Sequence, residues 1–328
     1  MRIWAIVALL CAVPLLGQVE HDFVVHDYRF ASGETLPEVR IHYVTYGTAG
    51  NPAVLVLHGT GGSSHQFVGD NFAGYLFKAG GILDASRYFI VIPDNVGHGK
   101  SSKPSDALGR RFPHYDYGDM TDLQHRLMTD GLGYKHLFLV IGTSMGAMHT
   151  WMWGERWPQM MDALVPLASQ PVQIAGRNRV WRKMIIDDLN RNDLEAALQI
   201  LMIATSSPLV WQKNGPTRDA ADSWYSAQMN TRIGSVNADD LLYAISASAD
   251  YDPSPQLAKI EAPLLAINSA DDFVNPPELG AIDTSIKRVK HGRFVLIPIS
   301  DQTRGHGTHT FPVVWHGYLE EFLATVKR

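Results

Sequence analysis

The stretch Leu139-Val140-Ile141-Gly142-Thr143-Ser144-Met145-Gly146-Ala147-Met148 constrains this chain more than any other. An apolar, β-branched run followed by G-x-S-x-G and then by helix-forming residues is a strand, a sharp turn and a helix. The turn is strained and its flanks must approach closely, so glycine is required on both sides of the serine, where a Cβ would obstruct. This geometry lifts the Ser144 hydroxyl clear of the backbone and makes it a candidate nucleophile.

A serine hydroxyl is weakly nucleophilic at neutral pH, so it needs a histidine base and a carboxylate to orient that base. In the α/β-hydrolase arrangement these follow the serine in the order acid, histidine. Pro263-Leu264-Leu265-Ala266-Ile267-Asn268 reads as a buried strand, and Ser269-Ala270-Asp271-Asp272 is the turn after it. Asp272, four residues before Pro276, is the preferred acid, with Asp271 as its rival. A further apolar run, Phe294 to Ile299, leads to Gly305-His306-Gly307-Thr308-His309 and then to a closing helix over 313–326. His306 takes the role of base and His309 is its rival. A metal reading of the His-x-x-His pair lacks a nearby Glu or Cys to complete a ligand set.

Val54-Leu55-Val56-Leu57 runs into His58-Gly59-Thr60-Gly61-Gly62, a glycine-rich turn suited to offering backbone N–H groups to a developing oxyanion. The N–H groups of Thr60 and Met145 are the expected donors. A phosphate-cradling loop would need G-x-x-x-x-G-K-[ST], which does not occur here. No cofactor is implied by any of these motifs.

Buried strands alternate with helical segments. Arg87 to Pro93 is another strand, followed by the D-x-x-G-x-G-x-S loop Asp94 to Ser101; Met120 to Gly131 reads as a helix. This alternation predicts an α/β fold with a mainly parallel, doubly wound sheet whose function sits at the carboxyl ends of the strands. From about Pro171 to Asp250 the strands stop. Helices are predicted over 178–189, 193–204, 217–229 and 238–249, read as an inserted helical lid over 171–250 between core segments 18–170 and 251–328. Met145, Met148, Trp151, Met152, Trp153 and Trp157 are assigned to core packing. Among the lid aromatics Trp181, Trp211, Trp224 and Tyr225, some are expected to line an acyl pocket.

Arg2 precedes fourteen uncharged residues, Ile3 to Leu16, and then Gly17-Gln18. This pattern predicts a cleaved signal peptide over 1–17, too short for a permanent membrane anchor, and a secreted or periplasmic location. Cys11 is the single cysteine, so the mature chain would contain none. A net charge of −5 with no Lys/Arg run argues against a nucleic-acid partner.

Together these residues resemble the homoserine O-acetyltransferase family of α/β-hydrolases. The likeness runs through the His58-Gly59 loop, Ile82 to Phe89, Gly142 to Met148, the Arg-rich segment Gln173 to Lys183, Asp272 to Pro276 and Gly305-His306. It implies a Ser144, Asp272, His306 triad and an acyl-enzyme route. Two features depart from the family: Gly307 stands where Asp usually follows the base, and the oxyanion loop Gly59 to Ser64 differs. An exported enzyme would also meet little acetyl-CoA. The expected activity is therefore secreted serine acyl-hydrolysis of a small ester. The alternative is O-acetyl transfer by the same triad, and a third reading is a catalytically silent binding protein on this fold.

Overall fold

The computed structural model describes residues 17–327, so nearly all of the expected signal segment lies outside the described residues. Eight strands form one sheet: β1 (Val19–Arg29), β2 (Thr35–Tyr46), β3 (Ala53–Leu57), β4 (Phe89–Pro93), β5 (Leu137–Thr143), β6 (Met161–Leu167), β7 (Leu264–Ser269) and β8 (Gly292–Ile297). Their spatial order is β1-β2-β4-β3-β5-β6-β7-β8; β2 runs antiparallel to both its neighbours, β1 and β4, and the other neighbouring pairs are parallel. The fold is that of the α/β-hydrolases, as expected. Strands β1 and β2 were not anticipated; β1 is mostly exposed, as an edge strand is, while β2 is buried from Ile41 to Tyr46, where it pairs with β4.

The continuous apolar runs of the central strands have a simple cause. Leu55, Leu57, Val91 and Val140 pack on one face, while Val54, Val56, Ile90, Ile92, Leu139 and Ile141 pack on the other. Successive side chains point to opposite faces, so a strand covered on both faces needs every residue apolar.

Helices α1 (Ala73–Leu76), α2 (Tyr117–Arg126), α3 (Met145–Arg156) and α10 (Pro312–Leu323) accompany the sheet, with the short α9 (Ala281–Ser285) before β8. Of the residues assigned to the core from this segment, Met145, Met148, Trp151, Met152 and Trp153 are buried, and Trp157, just after α3, is half-buried against the same core. Between β6 and β7 the chain forms α4 (Gly176–Asn190), α5 (Leu194–Ala204), α6 (Pro208–Asn214), α7 (Arg218–Ser235) and α8 (Ala238–Ser246). These five helices share their own small core around Ile185, Leu189, Leu198 and Met229. Helix α6 was not foreseen, because its seven residues show little periodicity. Helix α7 runs six residues beyond the expected end at Met229; Gly234 lies inside its last turn and does not stop it.

The strand order reverses between β3 and β5. At such a switch point two loops diverge at the carboxyl ends and leave a crevice. The glycine loop after β3 and the Ser144 turn after β5 border that crevice.

Candidate active site

Ser144 sits at the junction of β5 and α3 with φ 53° and ψ −113°, a strained conformation for a non-glycine residue. Its neighbours hold it there. A Cβ on Gly146 would lie 2.1 Å from the Leu57 carbonyl oxygen, and one on Gly142 would lie 2.0 Å from the Gly146 carbonyl. Only glycines let α3 approach β3 and β5 this closely, and Ser144 N–H donates to the Leu167 carbonyl (2.9 Å) to fix the turn.

Ser144 Oγ lies 2.8 Å from His306 Nε2. On the other side of the ring, His306 Nδ1 lies 3.0 and 3.1 Å from the two carboxylate oxygens of Asp272. The tertiary fold thus brings together three residues separated by more than 160 positions. Asp272 is buried and also accepts from Val274 N–H (2.8 Å), Asn275 N–H (3.2 Å) and the Asn275 amide (3.0 Å). Burial alone would raise its pKa, but the His306 charge and these hydrogen bonds outweigh it and hold the carboxyl below its ordinary value.

The two rivals lie elsewhere. Asp271 accepts from Ser207 Oγ (3.2 Å) and Gly305 N–H (2.8 Å), and from Ser269 Oγ, with no contact to His306. It clasps the lid to the loop that carries the base. His309 meets the His306 ring edge-to-face at 5.1 Å, and burial drives its pKa down to about 3, so it is neutral.

The glycine loop faces the serine: a Cβ on Gly59 would lie 3.3 Å from Ser144 Cβ. Gly62 N–H donates to the Gly59 carbonyl (2.9 Å), Gln66 reaches Thr143 Oγ1 (3.1 Å), and His98 Nε2 stands 3.0 Å from the Thr60 carbonyl. Met145 is the first residue of α3, where N–H groups have no partner within the helix and the helix dipole favours negative charge. Gln66 and His98, which brace the loop, were not singled out from sequence; His98 lies in the D-x-x-G-x-G-x-S loop, whose pattern does not say which side chain turns inward.

A cavity of about 740 Å³ opens over Ser144 and His306, roofed by the lid residues Trp181, Arg182, Leu198 and Ile245. Arg182 is buried; its guanidinium donates to Asn178 Oδ1 (2.9 Å) and Ser248 Oγ (3.1 Å), and no carboxylate pairs with it among the described residues. A signal for it existed. Arg182, Ile185 and Leu189 follow the i, i+3, i+7 spacing of one inward helix face. Asp240 is the sole carboxylate among the described residues lining this cavity, and Ser105 N–H and Oγ already bind it (2.8 and 2.6 Å).

Residues 52–298 match the family model for the alpha/beta hydrolase fold. The homoserine O-acetyltransferase of Moorella thermoacetica is 30% identical over 300 residues, covering 75% of this chain and 80% of that protein. The chain belongs to the homoserine O-acetyltransferase-like α/β-hydrolases. It is an enzyme of the serine hydrolase or O-acyltransferase type. Among solved structures, the homoserine O-acetyltransferase of Bacillus anthracis superposes with a TM-score of 0.82 at 19% identity, covering 94% of this chain and 99% of that one. Esterase E22 superposes with a TM-score of 0.80 at 18% identity, covering 94% and 100%. Likeness at that identity speaks for the fold alone.

Proposed function

We propose that this member of the family is an O-acyltransferase working through an acyl-enzyme, with a small hydroxyl compound bearing an anionic group as acceptor. His306 Nε2 takes the Ser144 proton as Oγ bonds to the donor's carbonyl carbon. The N–H groups of Thr60 and Met145 hold the oxyanion, and Asp272 keeps the proton on Nδ1 and supports the imidazolium. Collapse breaks the bond to the donor's leaving group, which takes the proton from His306. The acceptor hydroxyl then gives its proton to His306 as it attacks the acyl carbon, and on collapse the acyl–Oγ bond breaks and Ser144 Oγ takes that proton back from His306.

The observation that carries this reading is Arg182: a buried guanidinium without a carboxylate partner among the described residues, lining the cavity over the nucleophile. Burying a cation costs several kcal/mol unless a counter-charge arrives, and a substrate carboxylate supplies one. With the transferase relative, it moves the balance from the ester hydrolysis expected from sequence towards transfer. The test is release of coenzyme A from acetyl-CoA on adding homoserine or another hydroxy acid. Arg182→Gln should raise the acceptor KM at least tenfold. Acceptor-independent release at the same rate would overturn the reading.

Hydrolysis is a second reading with its own support. Gly307 follows the base, and the one carboxylate among the described residues lining the cavity, Asp240, is engaged by Ser105, so that lining offers no unengaged acid for an ammonium group. Turnover of p-nitrophenyl acetate without any acceptor would favour water. Export, proposed from Arg2 to Gln18, is tested by N-terminal sequencing of secreted protein.

A further inference from the structure

The glycine loop after β3 closes on itself: Gly62 N–H donates to the Gly59 carbonyl (2.9 Å), which makes a four-residue turn of Gly59 to Gly62. Neither central residue, Thr60 or Gly61, has a positive φ. A closed turn with that backbone is of type I, equivalent to a single turn of 3₁₀-helix. In such a turn successive carbonyls point one way and successive N–H groups point the other.

Two buried histidines show which way is which. Asn95 N–H donates to His58 Nε2 (3.0 Å), so the His58 proton sits on Nδ1, 2.8 Å from the Gly59 carbonyl. His98 Nε2 stands 3.0 Å from the Thr60 carbonyl, and the two rings are 5.1 Å apart. Both carbonyls are therefore turned into the protein on the histidine side. A trans peptide is planar, with its C=O and N–H pointing in opposite directions. The N–H groups that share these two peptides, those of Thr60 and Gly61, consequently face away from the histidines. Neither has an acceptor among the described residues. Both residues line the cavity over Ser144, and nothing lies within 4 Å of where a Cβ on Gly61 would stand.

We propose that Gly61 N–H is a third catalytic donor to the oxyanion, beside the N–H groups of Thr60 and Met145. Two successive N–H groups on one side of a turn form a concavity that suits an anion. The extra donor acts on rate. A carbonyl oxygen presents two lone pairs, which two donors already engage. When Ser144 Oγ bonds to the carbonyl carbon, the π pair moves onto that oxygen and a third lone pair appears. A third donor is fully used only then, so it stabilises the tetrahedral species more than the bound ester. The inference rests on the acyl-enzyme reading, and acylation of Ser144 is common to transfer and hydrolysis.

The test reads the amide directly. Thr60-Gly61 is the only Thr-Gly step in the sequence and Ser144-Met145 the only Ser-Met step, so pairwise carbonyl-13C and amide-15N labelling selects each N–H alone in an NMR spectrum. A methylphosphonate adduct on Ser144 places an anionic oxygen in the hole. Both the Gly61 and the Met145 amide protons should move downfield on its formation, as charge-assisted hydrogen bonds form. A phenylmethanesulfonyl adduct on Ser144 carries no anionic oxygen and should move both much less. Movement of Met145 without Gly61 would leave a two-donor hole and overturn the proposal, as would equal movement in the two adducts. Movement of neither would misplace the whole oxyanion hole, and failure of Ser144 to take the phosphonate at all would sink the acyl-enzyme reading itself, the proposal falling with each. A kinetic arm replaces Gly61 with its hydroxy-acid analogue, so that a backbone ester oxygen stands where the N–H was. Single-turnover acylation by p-nitrophenyl acetate should slow about 10²-fold, with half-saturation at much the same ester concentration. An unchanged acylation rate would equally overturn the assignment.

Discussion

Replacing Asp272 with Asn tests the site most sharply, because the structure dictates how the amide must sit. The carboxylate accepts at one oxygen from Val274 N–H and Asn275 N–H (2.8 and 3.2 Å) and at the other from the Asn275 amide (3.0 Å), while His306 Nδ1 reaches both. An asparagine has one acceptor oxygen. Turning it towards His306 and Asn275 Nδ2 would set its NH₂ against two backbone N–H groups, so it turns the other way. The NH₂ then faces His306 Nδ1, which must become an acceptor, and the ring proton moves to Nε2. That nitrogen lies 2.8 Å from Ser144 Oγ and can no longer take the serine proton. The same exchange in serine-protease triads costs about 10⁴-fold in kcat, or about 5 kcal/mol of transition-state stabilisation, and a loss of that order is expected at pH 7. The remaining donor-to-donor contact with Asn275 Nδ2 should lower stability by about 1–3 kcal/mol. The assay is ester turnover and fluorophosphonate labelling rate on folded protein, alongside urea unfolding. Asp271→Asn is the control: its partners are Ser207, Gly305 and Ser269, so its cost should stay within about tenfold. An Asp272→Asn enzyme retaining a tenth of wild-type turnover, or an Asp271→Asn enzyme losing more, would refute the assignment.

Ser144→Ala should abolish fluorophosphonate labelling and lower turnover by several orders of magnitude; persistent labelling would place the nucleophile elsewhere. His306→Ala should be nearly as damaging, whereas His309→Ala, whose Nδ1 has no partner, should be mild in the same turnover assay. Gly146→Ala places a methyl group 2.1 Å from the Leu57 carbonyl and should destabilise by about 3 kcal/mol or prevent folding; chemical denaturation reads the outcome. Glu155 on α3 is largely buried with one carboxylate oxygen unpartnered, and burial lifts its pKa from 4.5 to about 7. Because the folded state holds the proton more tightly, the unfolded chain ionises first, and stability falls as pH rises from 4.5 to 7. Glu155→Gln removes that loss and should stabilise by about 1–2 kcal/mol at pH 8, after discounting for partial exposure, with no gain at pH 4. Equal gains in urea unfolding at both pH values would count against it.

Local sequence determined a good deal. Gly142, Ser144 and Gly146 announce the elbow because a strained strand-to-helix turn tolerates no other residues at its flanks, and the unbroken apolar runs of β3, β4, β5 and β7 announce a sheet buried on both faces. The order Ser144, Asp272, His306 follows from where strands end. Other features were settled by three-dimensional packing. Asp271 and Asp272 are identical in chemistry and adjacent in sequence; only the turn after β7 sends one to His306 and the other to Ser207 and Gly305. The spacing of Arg182 with Ile185 and Leu189 marks an inward helix face, but its lack of a carboxylate partner among the described residues is a property of how five lid helices pack, not of its own helix. The cavity over Ser144 is a space between elements far apart in the chain. Periodicity reports which face of an element is apolar, but the charge left unpaired where several faces meet depends on all of them at once, and that only the tertiary structure decides.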